Sequence, residues 1–166
     1  ILGGVEMWKN YQDMIVWVKL KKDFFIVSND IYVGNTYIAP EYSTHLLYDP
    51  FTVLIDHVVS IPENCHILLC GDYNARTNVK SDYMVDDMYG SDGDLQYILA
   101  EESIKFPEMI RTLYDEELLI RASLDTASVN NHGNQLLEFC KTSGLLILNG
   151  RSGYDKGIGA LTRIDT

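Results

Sequence analysis

The chain has 166 residues, 46% of them apolar and 11% aromatic, with a net charge of -11. That is enough apolar content to fill one sizeable core in a single domain, and too much for a disordered tail. No apolar run approaches the roughly 20 residues that cross a bilayer, and no charged stretch followed by a greasy one opens the sequence, so the expectation is an intracellular protein with no membrane partner.

The predicted elements begin with "MIVWVKL" (14 to 20), apolar and rich in strand-forming residues. The polar "KKD" turn leads to "FFIVS" (24 to 28), and "ND" leads to "IYVGNTYIAP" (31 to 40). Connections this short predict three antiparallel strands in a meander, with Gly34 as a bulge in the third. Asp49 followed by Pro50 is a helix start, and Phe51, Leu54, Ile55, Val58 and Val59 recur at helical spacing until Pro62, giving a helix over about 50 to 60. "CHILLCGD" (65 to 72) is a continuous apolar strand of the kind buried on both faces.

From 74 to about 131 the sequence is irregular and acidic, with weak helical periodicity in "DLQYILAEE" and "PEMIRTLYDEELL". Twelve of the 24 acidic residues lie in 82–125 against only Lys105, Arg111 and Arg121, a local charge of -9 on an otherwise nearly neutral body. A segment this long is expected to be a functional loop or an insertion, and about 78–125 is marked off as loop-rich. Asn130 and Asn131 can cap a helix with Leu136, Leu137, Phe139 and Cys140 on one face, stopped by Gly144, before a last strand "LLILNG" (145 to 150). Cys65, Cys70 and Cys140 lack CxxC spacing and are expected to be reduced and buried. The sequence opens on Ile1 and closes on "ALTRIDT", which reads as a piece of a longer protein.

In "HILLCGDYNART" (66 to 77) an apolar strand gives way to Gly71, Asp72 and Asn74 within four positions. Asp72 and Asn74 stand two apart, so on a strand they point the same way, and the carboxyl end of a strand in an α/β sheet is where ligands bind. An acid and an amide side by side suit activating a water and holding a phosphate oxygen. Gly-Asp-x-Asn is equally good turn chemistry, and the residues alone leave both readings open.

Taken in order, "NTYIAPE", "ILLCGDYNARTN" and "RASLDTASVNNHGNQLLEFCKTSGLLILNGR" resemble the endonuclease/exonuclease/phosphatase superfamily, and within it the apurinic/apyrimidinic-like endonuclease domain of non-LTR retrotransposons. The resemblance runs from "MIVWVKL" to "LNGR" and leaves out the acidic stretch 82–120. It implies a four-layer sandwich, two packed mixed β-sheets flanked by helices, incomplete at both ends of this chain. It also implies Mg²⁺-dependent hydrolysis of a DNA phosphodiester, with a reverse transcriptase downstream in the same polypeptide. By position Asp72 matches the residue that orients or deprotonates the attacking water, Asn74 the one that holds nucleophile and scissile phosphate, and Tyr37 the strand tyrosine whose hydroxyl contacts that phosphate. Asn149 and Thr162 lie in segments resembling later stretches and are given no role.

The family's metal-binding Glu and its C-terminal Asp-His have no counterpart in these 166 residues, so the metal ligands are unknown and the chain by itself is expected to be inactive. Asp56-His57 precedes Asp72 and is expected on the outer surface of its helix. His45, His66 and His132 have no mutual ligand spacing and read as loop or strand-edge residues. Asp82, Asp86, Asp87, Asp92 and Asp94 miss the calcium-loop pattern and read as a solvated acidic loop. The rival expectation is a non-catalytic α/β binding module whose acidic segment engages a basic partner. Open sheet edges predict poor solubility for the isolated chain.

Overall fold

The computed structural model describes residues 3–11, 14–46, 48–84, 108–125 and 127–151. They fall in two compact units, 1–75 with 131–139 and 76–130 with 140–166.

The first unit is built on four strands, β1 (Val5–Tyr11), β2 (Ile15–Leu20), β3 (Ile31–Tyr37) and β4 (His66–Asp72), side by side in that order. β1–β2 and β2–β3 pair antiparallel and β3–β4 parallel, a single mixed sheet of α/β class among the described residues. The meander is present, but with different members. Residues 24–28 are not a strand: Lys22–Phe25 form a short helix, α1, ended by Ile26 at φ 56°. Leu20 and Ile31 already pair with each other, which leaves 21–30 as a connection, tied by Asp30 Oδ1 accepting from the Lys22 N–H at 2.9 Å. The missing member is β1, whose "VEMWKNY" has too many polar residues to stand out as an apolar run.

The bulge lies in β1 rather than at Gly34. Between Met7 and Lys9 the register shifts, and the Trp8 ring sits edge-on to Trp17 at 5.7 Å and to Tyr32 at 4.9 Å. At Gly34 the pairing is regular, and the glycine instead makes room: a Cβ there would lie 2.7 Å from Leu69 Cδ2 and 3.1 Å from the Trp17 ring.

Helix α2 (Pro50–Val59) starts as its sequence predicts, with Asp49 Oδ1 accepting from the Phe51 N–H at 3.1 Å and Oδ2 from the Thr52 hydroxyl at 2.7 Å. The face it buries is turned from the expected one. Phe51, Leu54 and His57 are inside, while Val59 is 78% exposed.

The register sorts the sheet into two faces. Ile15, Trp17, Tyr32 and Thr36 are buried on one, where His57 of α2 meets Trp17. Val16, Val18 and Val33 on the other are only half-buried, and Leu68 is 45% exposed. Among the described residues β4 is therefore an edge strand with one open face rather than a strand buried on both. Cys70 on it is exposed and Cys65 before it half-buried; only Cys140 is buried as expected.

In the second unit, the weak periodicity of "PEMIRTLYDEELL" corresponds to α3 (Glu108–Asp115). Ile110 and Leu113 of α3 pack with Tyr83 and Leu119, and Leu146 joins that cluster. Residues 145–150 form no strand but a loop ending in a turn at Gly150, φ 80°. Helix α4 (Asn131–Ser143), whose residues 131–139 belong to the first unit, buries Leu137, Phe139 and Cys140 and stops at Gly144, φ 70°, in the expected C′ position. Among the described residues no helix is long and apolar enough to cross a membrane.

Candidate functional site

The parallel pairing of β3 with β4 fixes the site's backbone. Its last matched pairs are Thr36 with Gly71 and Tyr37 with Asp72. Gly71 has φ 125°, and a Cβ on it would fall 1.8 Å from the Thr36 carbonyl oxygen, so only glycine lets the strands close at this point. Beyond β3, the Ile38 N–H donates to the Asp72 carbonyl oxygen at 2.8 Å, carrying the pairing one residue further.

β4 ends before Asn74, which takes the left-handed conformation at φ 46°, one that asparagine tolerates better than most residues. Its N–H donates to Asp72 Oδ1 at 2.9 Å, and its side-chain Nδ2 donates to the Ile38 carbonyl oxygen at 2.8 Å. These bonds are Asx-turn chemistry and edge geometry at once, since the turn that binds one Asp72 oxygen also anchors Asn74 against β3. Tyr37, Asp72 and Asn74 thus meet at the carboxyl end of a parallel strand pair, where α/β sheets bind ligands. Asp72 is exposed, and Tyr37 is 54% exposed rather than a core aromatic. An exposed carboxylate held by one backbone N–H can take a proton from water, and a phenol beside it can donate to a bound oxyanion.

Among the described residues no group of three or more His, Cys, Asp or Glu is placed to hold a metal ion. The edge brings one carboxylate, which does not by itself make a magnesium site, since this hard cation is held in near-octahedral oxygen coordination.

The other candidates fall elsewhere. His57 is not on the outer surface of α2. It is 9% exposed, and its Nδ1 accepts from the Trp17 indole N–H at 3.0 Å, so its proton sits on Nε2. Burial first, and then the charge of Lys9, push its pKa below the usual histidine value. His45 is an exposed loop residue and His66 an exposed residue opening β4. His132 corrects the loop or strand-edge expectation, being buried in α4 with its N–H donating to Glu41 Oε1 at 2.6 Å and its ring 5.9 Å from Phe51.

Asp82 is no member of a solvated loop. It is fully buried and accepts both guanidinium nitrogens of Arg151, Nη1 at 2.6 Å and Nη2 at 2.7 Å, and the Ile147 N–H at 2.7 Å. Arg121 is buried nearby, donating to Thr77 Oγ1 at 3.0 Å and the Lys80 carbonyl oxygen at 2.7 Å. Burial of the neighbouring Cys140 thiol, and then the Asp82 charge, push its pKa up to about 12, which makes it inert as a nucleophile. Asp86, Asp87, Asp92, Asp94 and Thr162 lie outside the described residues, and Asn149 sits in the turn before Gly150.

A cleft of about 280 Å³ also lies in the first unit, between the end of β3 and the start of α2, lined in part by Tyr37, His45 and Tyr48. Its signal in the sequence is the density of aromatic residues over 37–48. No family model, curated protein or solved structure matches the chain.

Proposed function

We propose that this chain carries the phosphate-handling edge of a DNA phosphodiesterase domain of the endonuclease/exonuclease/phosphatase type, in a retrotransposon-derived protein that also holds a reverse transcriptase. The observation that carries the reading is the convergence of Tyr37, Asp72 and Asn74, drawn from two strands and a turn, at the carboxyl end of the β3–β4 pair. In this reading Asp72 takes the proton of a water that attacks phosphorus in line, Tyr37 and Asn74 hold the phosphate, and the bond to the 3′ oxygen breaks. The proton for that oxygen comes from a group outside these three.

The half-buried apolar face of the sheet supports the larger architecture. Val16, Val18, Val33 and Leu68 are what a sheet offers to a second sheet packed roughly 10 Å away. With α2 on the opposite face, a second sheet bearing its own helices would complete a four-layer sandwich. The magnesium implied by the resemblance belongs to this proposal, as does inactivity of the 166 residues alone.

The test is nicking of supercoiled plasmid by the chain extended at both ends with its neighbouring coding sequence. Nicking is expected with Mg²⁺ and not after chelation. Tyr37→Phe and Asn74→Ala are expected to slow it by about 10²–10³, the usual effect of removing one oxyanion donor. Unchanged rates in both variants would count against the assignment. A silent extended chain would favour the binding-module rival, for which Asp115, Glu116 and Glu117 form an exposed acidic run at the end of α3.

A further inference from the structure

The geometry points to Thr77 as a phosphorylation site, the phosphate it gains being held by the buried Arg121 guanidinium of the same unit. Neither group takes part in the chemistry proposed at Asp72.

Arg121 is a cation without a counter-ion. It is 4% exposed, and its Nη1 donates to Thr77 Oγ1 at 3.0 Å and its Nη2 to the Lys80 carbonyl oxygen at 2.7 Å, both neutral acceptors. Its Nε–H is buried with no partner. Asp82 does not serve it, because Arg151 already holds both oxygens of that carboxylate. Two buried guanidinium groups therefore stand against one buried carboxylate, an excess of one positive charge, and burial pushes the Arg121 pKa below the usual arginine value. A buried charge left uncompensated is costly, and an anion on its free edge removes that cost.

Thr77 offers the place for one. Its hydroxyl oxygen already sits on the guanidinium, yet the residue is only half-buried and so within reach of another protein. From 73 to 81 the chain has no Asp or Glu, and Arg76 and Lys80 on either side of Thr77 are exposed cations in a chain of net charge -11. Side chains tie this segment down: the Arg76 N–H donates to Asn130 Oδ1 at 2.8 Å, and Asn78 Nδ2 to the Ala127 carbonyl oxygen at 3.3 Å. Bonds of this kind open locally at less cost than a paired strand, which lets a kinase take hold of the segment.

In the reaction Thr77 Oγ1 attacks the terminal phosphorus of a nucleoside triphosphate. The Oγ1–P bond forms as the bond to the bridging oxygen breaks, the diphosphate leaves with that electron pair, and the hydroxyl proton goes to a base of the kinase. The product carries a charge of about -1.5 to -2 and three acceptor oxygens. The Arg121 fork, with its Nε–H unpartnered, matches such an oxyanion with two donors at once.

The test is phosphorus nuclear magnetic resonance on the 166-residue chain made with Thr77→phosphothreonine. The phosphate is expected to lose its second proton about one pH unit lower than in a phosphothreonine peptide spanning 74–80, because the guanidinium favours the doubly charged form. Arg121→Gln should return it to the peptide's value. The modified chain should also melt higher than the unmodified one by about 2–4 °C, whereas millimolar inorganic phosphate should leave the unmodified chain unchanged. Saturable stabilisation by inorganic phosphate, with nothing further gained on modification, would overturn the covalent site in favour of a free anion. A phosphate that titrates in the unsubstituted fold as it does in the peptide would overturn the role of Arg121. The protein isolated from its own cells is expected to yield, on digestion, a peptide with one phosphate on Thr77; recovery of that peptide only in unmodified form would overturn the modification.

Discussion

At Gly71 the backbone sits at φ 125° with the Thr36 carbonyl oxygen 1.8 Å from where a Cβ would go. Gly71→Ala therefore strains the backbone and pries β3 from β4 together, and is expected to cost more than about 2 kcal/mol in urea unfolding; a change under about 0.5 kcal/mol would mean the strands need not close there. His57 carries a pH prediction. Its ordinary value is 6.5 and its folded value lies lower, because burial and then the charge of Lys9 disfavour the protonated ring. Above the unfolded value the histidine is neutral in both states and its contribution is intact. As pH falls through 6.5, the unfolded chain takes up a proton that the folded one resists, and stability drops until the folded value is passed. Urea unfolding at pH 7.5 and 5.5 should show this loss, and His57→Gln should reduce it. Residue by residue, the sequence was legible where local chemistry decides: Asp49 as cap, Gly144 as helix stop, and the turn at Asp72-x-Asn74. His57 was not legible, because helical spacing marked Val59 as core, and only the Trp17 indole on another strand turns the helix toward His57.

Among elements, the second unit depends on one ion pair. Asp82 and Arg151 are held in a two-pronged pair with side chains almost wholly buried, and Arg151 also donates to the Leu118 and Ile147 carbonyl oxygens at 2.7 and 2.8 Å. Removing one partner leaves a buried charge without compensation, so Asp82→Ala is expected to cost about 3–5 kcal/mol in guanidinium unfolding, and a cost under about 1 kcal/mol would contradict this account. Nothing in the sequence announced the pair, since its members stand 69 positions apart and Asp82 heads a run of acids that looks solvated. The mistaken elements share a cause. "FFIVS" and "LLILNG" are apolar enough for strands, but the register β2 makes with β3 leaves the first as a connection, and the second gives Leu146 to the cluster around α3. β1 erred in the other direction: a half-exposed edge strand needs few apolar residues, so its pattern was too polar to notice.

For the whole molecule, half of the acidic residues lie in 82–125, so the charge of -11 that would repel a DNA substrate is concentrated in one stretch of the sequence. The α/β class could be read from the helix followed by a greasy strand, whereas the open face of the sheet could not, because an apolar run does not say whether both of its sides are covered. The central claim is that the Asp72 carboxylate does chemistry and does not merely close a turn. Asp72→Ala in the end-extended chain, compared with the unsubstituted protein for plasmid nicking in Mg²⁺ and for melting temperature, tests it most directly. Nicking slower by about 10²–10⁴, the contribution of a general base, is expected in a protein that still melts cooperatively. Nicking at an undiminished rate by a folded Asp72→Ala protein would contradict it.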